Sequence, residues 1–380
     1  MGPPGSRGRP RPLMVHGALV LAQVVFGGGA IVGKFGVHGT NPALFALIRE
    51  GIAGPLLCLL ALGSHSLSEV KPKLADMPCL LAAGVGLFSN QLFFILGIKL
   101  SDPVIGSAWQ PSQPVFTLML AVLVGYEKLT CRRVAGILIA VSGAVFMVVF
   151  GMASSGGSSG STALVGNLLF CLNCFGTSAY VIVTKGLVKK YPAIAVTGWA
   201  YLLGSMMMLV VVAIINETPE CLRFVCSDSD KDVQQTCIDG AWDVPRAMIL
   251  PLAYWILFSS VTAYFAMTWA NQYATASSVS VYTVLQPCTS GLISAILIFT
   301  HDSAWAKEYS LSYPGWNDLG ILGIIAGLAL LFTDSTLQQG GTDDRREPGP
   351  DGRQVAFLDD AAVASLDGCC QAATVRSNPG

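Results

Sequence analysis

GALVLAQVVFGGGA, residues 17–30, returns 149 positions later as GNLLFCLNCFGTSA, residues 166–179. Gly17, Phe26, Gly27 and Ala30 fall on Gly166, Phe175, Gly176 and Ala179. Further matches follow in order. Pro42-Ala43 falls on Pro192-Ala193 at an offset of 150, Gln113-Pro114 on Gln286-Pro287 at 173, and GILIAVSG (136–143) on GILGIIAG (320–327) at 184. The offset only grows, as insertions in the second half would produce. Each half carries five apolar spans. Five is odd, so the halves must lie in a membrane with opposite orientations. Inverted repeats of this kind build secondary transporters, with the solute site between the halves near the midplane.

Composition agrees with a membrane. The chain is 53% hydrophobic and 12% charged, with a mean hydropathy of +0.60. A soluble domain carries about 25% charged residues. A bilayer core about 30 Å thick needs about 20 apolar residues per helix. Ten stretches qualify: 13–33, 42–63, 77–98, 103–125, 133–152, 163–185, 193–215, 248–271, 276–299 and 317–333. Only helices and closed barrels span lipid, and these stretches lack the alternation of barrel strands. The expected fold is all-α and polytopic, with ten transmembrane helices in two inverted five-helix repeats. Residues 13–152 form the first repeat, 153–162 a linker and 163–334 the second.

The distribution of charge sets the expected orientation. With a cytosolic N-terminus, the inner segments before the tail hold eleven basic residues, among them Arg7, Arg9, Arg11, Lys185, Lys189 and Lys190. The outer loops hold six, three of them in one long loop. The positive-inside rule therefore puts both termini in the cytosol. Residues 1–12 read as a cytosolic segment and 335–380 as a disordered cytosolic tail. The polar loop 216–246 then faces away from the cytosol. It holds the sequon Asn216-Glu217-Thr218 and three cysteines, Cys221, Cys226 and Cys237. Two of the three can pair in an oxidising compartment, and spacing does not choose among the three pairings.

Three segments carry a family resemblance: TNPALFALIREGIAG (40–54), QPSQPVFTLMLAVLVGYEKLT (110–130) with RRVAGILIAVSGAVFMV (132–148), and AYVIVTKGLVKKYPAIAVTGWAYLLG (179–204). They resemble the EamA-type domains of the drug/metabolite transporter superfamily. The last is especially similar to the plant nodulin-like, walls-are-thin-related branch. Glu127 and Gly136 stand where the family has them after the fourth helix. The second half departs, with Phe299-Thr300 in place of a Gly-Glu pair and an insertion containing Lys307 and Glu308. The resemblance implies transport of small metabolites such as amino acids or auxin-like acids, commonly as export. It places the protein in the plasma membrane first and the vacuolar membrane second.

Arg49 and Glu50 are the strong charges well inside a span. Each costs about 2.5–3.5 kcal/mol at a helix centre. Read functionally, Arg49 partners a carboxylate or phosphate and Glu50 binds a proton. Read structurally, they are halves of an interhelical ion pair. The third and fourth spans add Asn90, Gln91, Trp109, Gln110 and Gln113, and the eighth and ninth add Tyr264, Trp269, Tyr282 and Gln286. At the offset of 173, Gln91 falls on Tyr264, Trp109 on Tyr282 and Gln113 on Gln286. Trp109 and Gln113 are four apart, so they stack on one helical face. Amides and aromatic faces from both halves suit a small amphipathic solute. Packing is the alternative, because amides also join membrane helices. The pairs Gly29/Gly33 and Gly323/Gly327 read as close-packing surfaces.

No HExxH, GxSxG or phosphate-loop motif is present, so no enzyme is expected. Cys171 and Cys174 have metal-ligand spacing but no second ligand pair, so neither metal nor cofactor is expected. The net charge of −1 speaks against nucleic acid. The expected partners are a small-molecule substrate and membrane lipid, with a homodimer left open. Within transport, an uncoupled facilitator and a nucleotide-sugar or phosphorylated-metabolite carrier compete with a proton-coupled exporter; a non-transporting receptor is the rival outside it.

Overall fold

A computed structural model describes residues 10–101, 103–126, 161–228 and 230–301, with scattered positions in 130–146 and 319–330. All regular structure among them is helical. Eight long helices follow the predicted spans: α1 Pro12–Val37, α2 Pro42–Ser64, α3 Met77–Leu100, α4 over 103–124, α5 Ser161–Leu187, α6 Ala193–Glu217, α7 Arg246–Asn271 and α8 Ala276–Thr300. Seven helical stretches, all but α4, are long and apolar enough to cross a membrane. The predicted fifth and tenth spans are described only in part, and Glu127, Lys307, Glu308, the tail and most of the linker lie outside the described residues. Two described positions from those spans meet: a Cβ on Gly323 would stand 3.2 Å from the Cα of Gly143. That is the close packing expected of Gly323.

Local chemistry starts and stops the helices. Asn41 caps α2, its side-chain oxygen accepting from the backbone N–H groups of Ala43 and Leu44 at 3.0 and 3.4 Å. Pro42 takes the first turn, where its missing N–H costs nothing. Gly125 ends α4 at φ +86°, a left-handed conformation glycine adopts without penalty. The helices are apolar on the outside, where Leu59, Leu123, Met206, Leu250 and Leu292 are exposed. Amides and hydroxyls lie inside. That inversion of the soluble pattern is what a lipid solvent selects.

The repeat is visible in the backbone. α4 breaks into a 3₁₀ turn at Gln110–Ser112, just before Gln113-Pro114. α8 breaks into one at Tyr282–Val284, just before Leu285 and Gln286-Pro287. In both, proline removes an N–H and leaves a carbonyl one turn back without its partner. α7 carries Pro251 and then a π-helical stretch, Trp255–Ala263. Such wide turns are rare and cluster at functional sites.

The helices sort into two bundles that mix the halves. α1 packs against α7 and α8, and α2 against α7. Reciprocally, α5 packs against α3 and α4, and α6 against α3. α2 and α6 cross between the bundles. The α3–α5 crossing is closest at Gly86 and Gly176, where a Cβ on either would sit 2.9–3.0 Å from backbone atoms of the other helix.

The segment after α6 is ordered into two short helices, Pro219–Val225 and Lys231–Asp239. Of the three open pairings, Cys226–Cys237 forms, and Cys221 is free. The disulfide packs with Leu222. Asn216 is engaged: its side chain donates to Ala241 O at 3.2 Å and accepts from Asn41 at 2.8 Å. Asp228 pairs with Lys99 at 3.2 Å. Burial works to raise the Asp228 pKa, but Lys99 and the Asp230 N–H outweigh it and hold the carboxyl below its usual value. This loop marks one face of the bundle. The other is marked by Asp76 ahead of α3, which pairs with Lys190 at 2.9 Å and accepts from the Tyr191 hydroxyl at 2.7 Å.

Candidate substrate cavity

Between the two bundles lies a cavity. α1 lines it with Gln23 and Phe26, α3 with Asn90, Gln91 and Phe94, and α4 with Gln110 and Gln113. α5 gives Asn173 and Thr177, α7 gives Trp255, Tyr264 and Met267, and α8 gives Gln286. Its volume is about 40 Å³, room for only a few water molecules.

Amide pairs join each bundle symmetrically. Gln286 Nε2 donates to Gln23 Oε1 at 2.6 Å, linking α8 to α1. Gln110 Nε2 donates to Asn173 Oδ1 at 3.0 Å, linking α4 to α5. Gln113 donates to Gln110, and Asn90 donates to Thr177. The Tyr264 hydroxyl donates to Asn90 Oδ1 and so crosses between the bundles. Gln91 Nε2 donates to the Tyr201 hydroxyl at 3.0 Å. Tyr264 sits edge-on to Phe26, Tyr180 and Tyr201, with ring centroids 5.0, 5.8 and 5.6 Å away. The wall thus combines amides with the aromatic side chains of Phe26, Phe94, Trp255 and Tyr264.

Six of the sequence-predicted residues come together here: Asn90, Gln91, Gln110, Gln113, Tyr264 and Gln286. Residues paired at the offset of 173 share their fate. Gln91 and Tyr264 both line the cavity, as do Gln113 and Gln286. Trp109 and Tyr282 both stand outside it. Trp109 Nε1 donates to Asn167 Oδ1 on α5 at 2.7 Å, and Tyr282 hydrogen-bonds His16 on α1. Trp269 packs on Tyr273, with centroids 5.2 Å apart. Trp109 and Gln113 therefore do not share a face, because the 3₁₀ turn lies between them. Gln23, Asn173 and Thr177 were missed, although each is a polar residue inside an apolar span. Trp255 was missed too; its indole lies in the groove made by Gly29 and Gly33 of α1, which is the close packing read for that pair.

Arg49 and Glu50 lie behind the wall, 1% and 0% exposed. They form no ion pair with each other. The Arg49 guanidinium stacks on Trp255, 4.3 Å from the ring centroid, while Trp255 itself lines the cavity. A desolvated cation–π contact is worth about 2 kcal/mol. Arg49 Nε and Nη2, both Glu50 oxygens and the Ser259 hydroxyl of the π-helical stretch have no hydrogen-bond partner among the described residues. Buried polar groups are almost always satisfied, so unsatisfied ones ask for a reason. No cluster of three metal-ligating side chains occurs among the described residues.

The profile of the EamA-like transporter family matches residues 13–149 and again 164–333. The chain belongs to the EamA-like transporter family. As an EamA-like transporter it is an integral membrane protein. Two curated plant relatives come from Arabidopsis thaliana. Protein WALLS ARE THIN 1 is 22% identical over 84% of this chain and 83% of its own length. WAT1-related protein At5g13670 is 23% identical over 92% and 95%. Uncharacterized transporter YyaM of Bacillus subtilis is 20% identical over 73% and 84%. A solved crystal structure superposes with a TM-score of 0.56 at 16% identity, covering 86% of this chain and 98% of that one. It shows a shared fold alone.

Proposed function

We propose that this transporter moves a small amphipathic organic metabolite, an amino acid or an auxin-like acid being the first classes to test. Export with proton coupling is the proposed mode, and the plasma membrane the proposed site. The observation that carries the reading is the cavity between the bundles, which Gln23, Gln110, Gln113 and Gln286 line together with Phe26, Phe94, Trp255 and Tyr264. Amides bind polar groups of either sense, and ring faces accept an apolar body or a cation. The side chains lining the cavity include no Lys or Arg. That disfavours a phosphorylated metabolite, whose charge calls for several cations. Glu50 is proposed to take and release a proton, and Arg49 to favour anionic solutes from behind Trp255. An uncoupled facilitator is the second reading, because Glu50 does not itself line the cavity.

The test is a substrate panel in proteoliposomes, with and without a pH gradient. Gradient-dependent accumulation of one panel member supports the coupled reading. Equilibration without accumulation supports the facilitator, and no flux for any amino acid or organic acid overturns both.

Gln113→Ala and Gln286→Ala should each weaken substrate affinity about five-fold, the loss of one hydrogen bond of about 1 kcal/mol. Protein levels should stay near the parent's. Unchanged uptake constants for both would assign these amides to packing. The orientation has its own test. Tags at the two termini of cells or sealed vesicles should be protected together, and a label on the 216–246 loop should be reached from the other side. Opposite protection of the two termini would end the ten-helix topology.

A further inference from the structure

Lys34 near the end of α1 donates through Nζ to Ile98 O and Ser101 O, both at 3.0 Å. These carbonyls close the C-terminal end of α3. Lys185 near the end of α5 donates through Nζ to Asn271 O at 2.6 Å and to Ala274 O. Those carbonyls close the end of α7. Ile98 plus 173 is Asn271, and Ser101 plus 173 is Ala274. The same contact is therefore built twice, once in each half. Lysine near a helix C-terminus is a general preference, since the last carbonyls have no partner within their helix. Here, however, each lysine caps a different helix, and that helix lies in the other bundle. α1 belongs with α7 and α8, whereas α3 belongs with α5 and α6. Lys34 thus ties the bundles together at the loop face, beside the Lys99–Asp228 pair. Lys185 ties them at the opposite face, beside the Lys190–Asp76 pair. The two faces are the two ends of α3, about 36 Å apart.

We infer that Lys34 and Lys185 are paired latches that hold the two mouths of the cavity shut. Both are engaged in this conformation, and the cavity between them is correspondingly small. Parting the bundles at one face requires one ammonium to leave two carbonyls, while the other stays seated. Each face carries further ties. At the loop face Asn41 Nδ2 donates to Asn216 Oδ1 at 2.8 Å and to Ala241 O at 3.1 Å. At the opposite face Asn271 Nδ2 donates to Val181 O at 2.9 Å and Gln272 Nε2 to Val188 O at 3.4 Å. The inference rests on the family's transport function and on a cavity that opens to each face in turn. It does not depend on the substrate.

The test reads which face the cavity opens to. Met267, on the cavity wall, is replaced by Cys in the full chain in sealed vesicles. A membrane-impermeant maleimide is added from one side or the other, and the rate is taken as the difference from the same chain without the reporter. Lys34→Gln should raise labelling from the loop side about five-fold or more and lower it from the other. Lys185→Gln should do the reverse. A merely structural cap would change both sides together, or neither, and either result overturns the inference. Should a variant fail to accumulate, the charge is removed on the folded parent instead, by an amine-acylating reagent supplied from the loop side and located at Lys34 by peptide mass. Lys34 is buried while the latch is seated, so its acylation should follow opening of the loop-side mouth; the same shift is then expected, and its absence overturns the latch. Labelling that shifts as expected in a chain that carries none of the substrate panel would sink the proposed substrate class and leave the latches standing.

Discussion

Glu50→Gln is expected to abolish accumulation of substrate driven by a pH gradient while sparing exchange of substrate across the membrane. The side chain is fully buried on α2, and neither oxygen has a donor among the described residues. Burying an ionised carboxyl without a donor costs several kcal/mol. A proton removes that cost, and an opening that admits water removes it differently. The two conformations of the cycle would thus differ in their proton affinity, which is what coupling requires. Glutamine keeps the shape and loses the proton. The loaded carrier can still shuttle, so exchange persists, but no gradient can be spent. Arg49→Gln should behave differently. It removes the cation behind Trp255 and should impair anionic solutes most, with neutral ones nearly unaffected. Measured in proteoliposomes, a Glu50→Gln chain that concentrates substrate as the parent does would place coupling elsewhere.

Gly86→Leu should leave little folded protein. A Cβ at this position would stand 2.9 Å from Tyr180 N and 3.0 Å from Gly176 O, backbone atoms that cannot swing aside. Overpacking ordinarily costs about 1–3 kcal/mol. Against backbone, across the most extensive helix contact of the structure, about 3 kcal/mol or more is expected. Gly51→Leu is the matched control, because nothing lies within 4 Å of its Cβ position on the outer face of α2. The readout is the monodisperse fraction in detergent. Equal fractions for the two variants would mean that the α3–α5 crossing yields more readily than its geometry implies.

The architecture was legible because its signals are long. Spans of some twenty apolar residues and a register kept over the chain survive any local exception. Residues paired by the repeat lie together in the structure, Gln91 with Tyr264 and Gln113 with Gln286 along one cavity. Trp109 was misplaced by a local exception. Across an α-helix, residues four apart differ by about 40°, but across a 3₁₀ turn by about 120°. Proline at 111 and 114 was a warning that the helix was not regular there. Gln23 and Asn173 were visible as polar residues in apolar spans. Their counterparts at the offset of 149 are the apolar Leu172 and Val24. The symmetry holds between helix pairs, α1 with α8 and α5 with α4, and not between these individual side chains. Trp255 could not be read at all. Its place depends on Gly29 and Gly33 of a helix more than two hundred residues away. The disulfide was open for a similar reason: the choice of Cys226 with Cys237 is made by how two short helices pack.

The growth of the repeat offset from 150 to 173 falls between the second helix of each half and the fourth, and the clipped loop of 216–246 lies within that interval. Two identical inverted halves would present the same mouth to both sides of the membrane. Such a protein has no front and no back, and flux through it obeys the gradient alone. Whatever sense of direction this chain possesses must reside in what its halves do not share. The loop is one such part, fastened at one face through Lys99–Asp228 and Asn41–Asn216. The Arg49-Glu50 pair is the other, with no charged counterpart in the VTGWAYLLG stretch of α6. Polarity in this molecule is an addition to a pseudo-symmetric frame, and these two segments are its most conspicuous carriers.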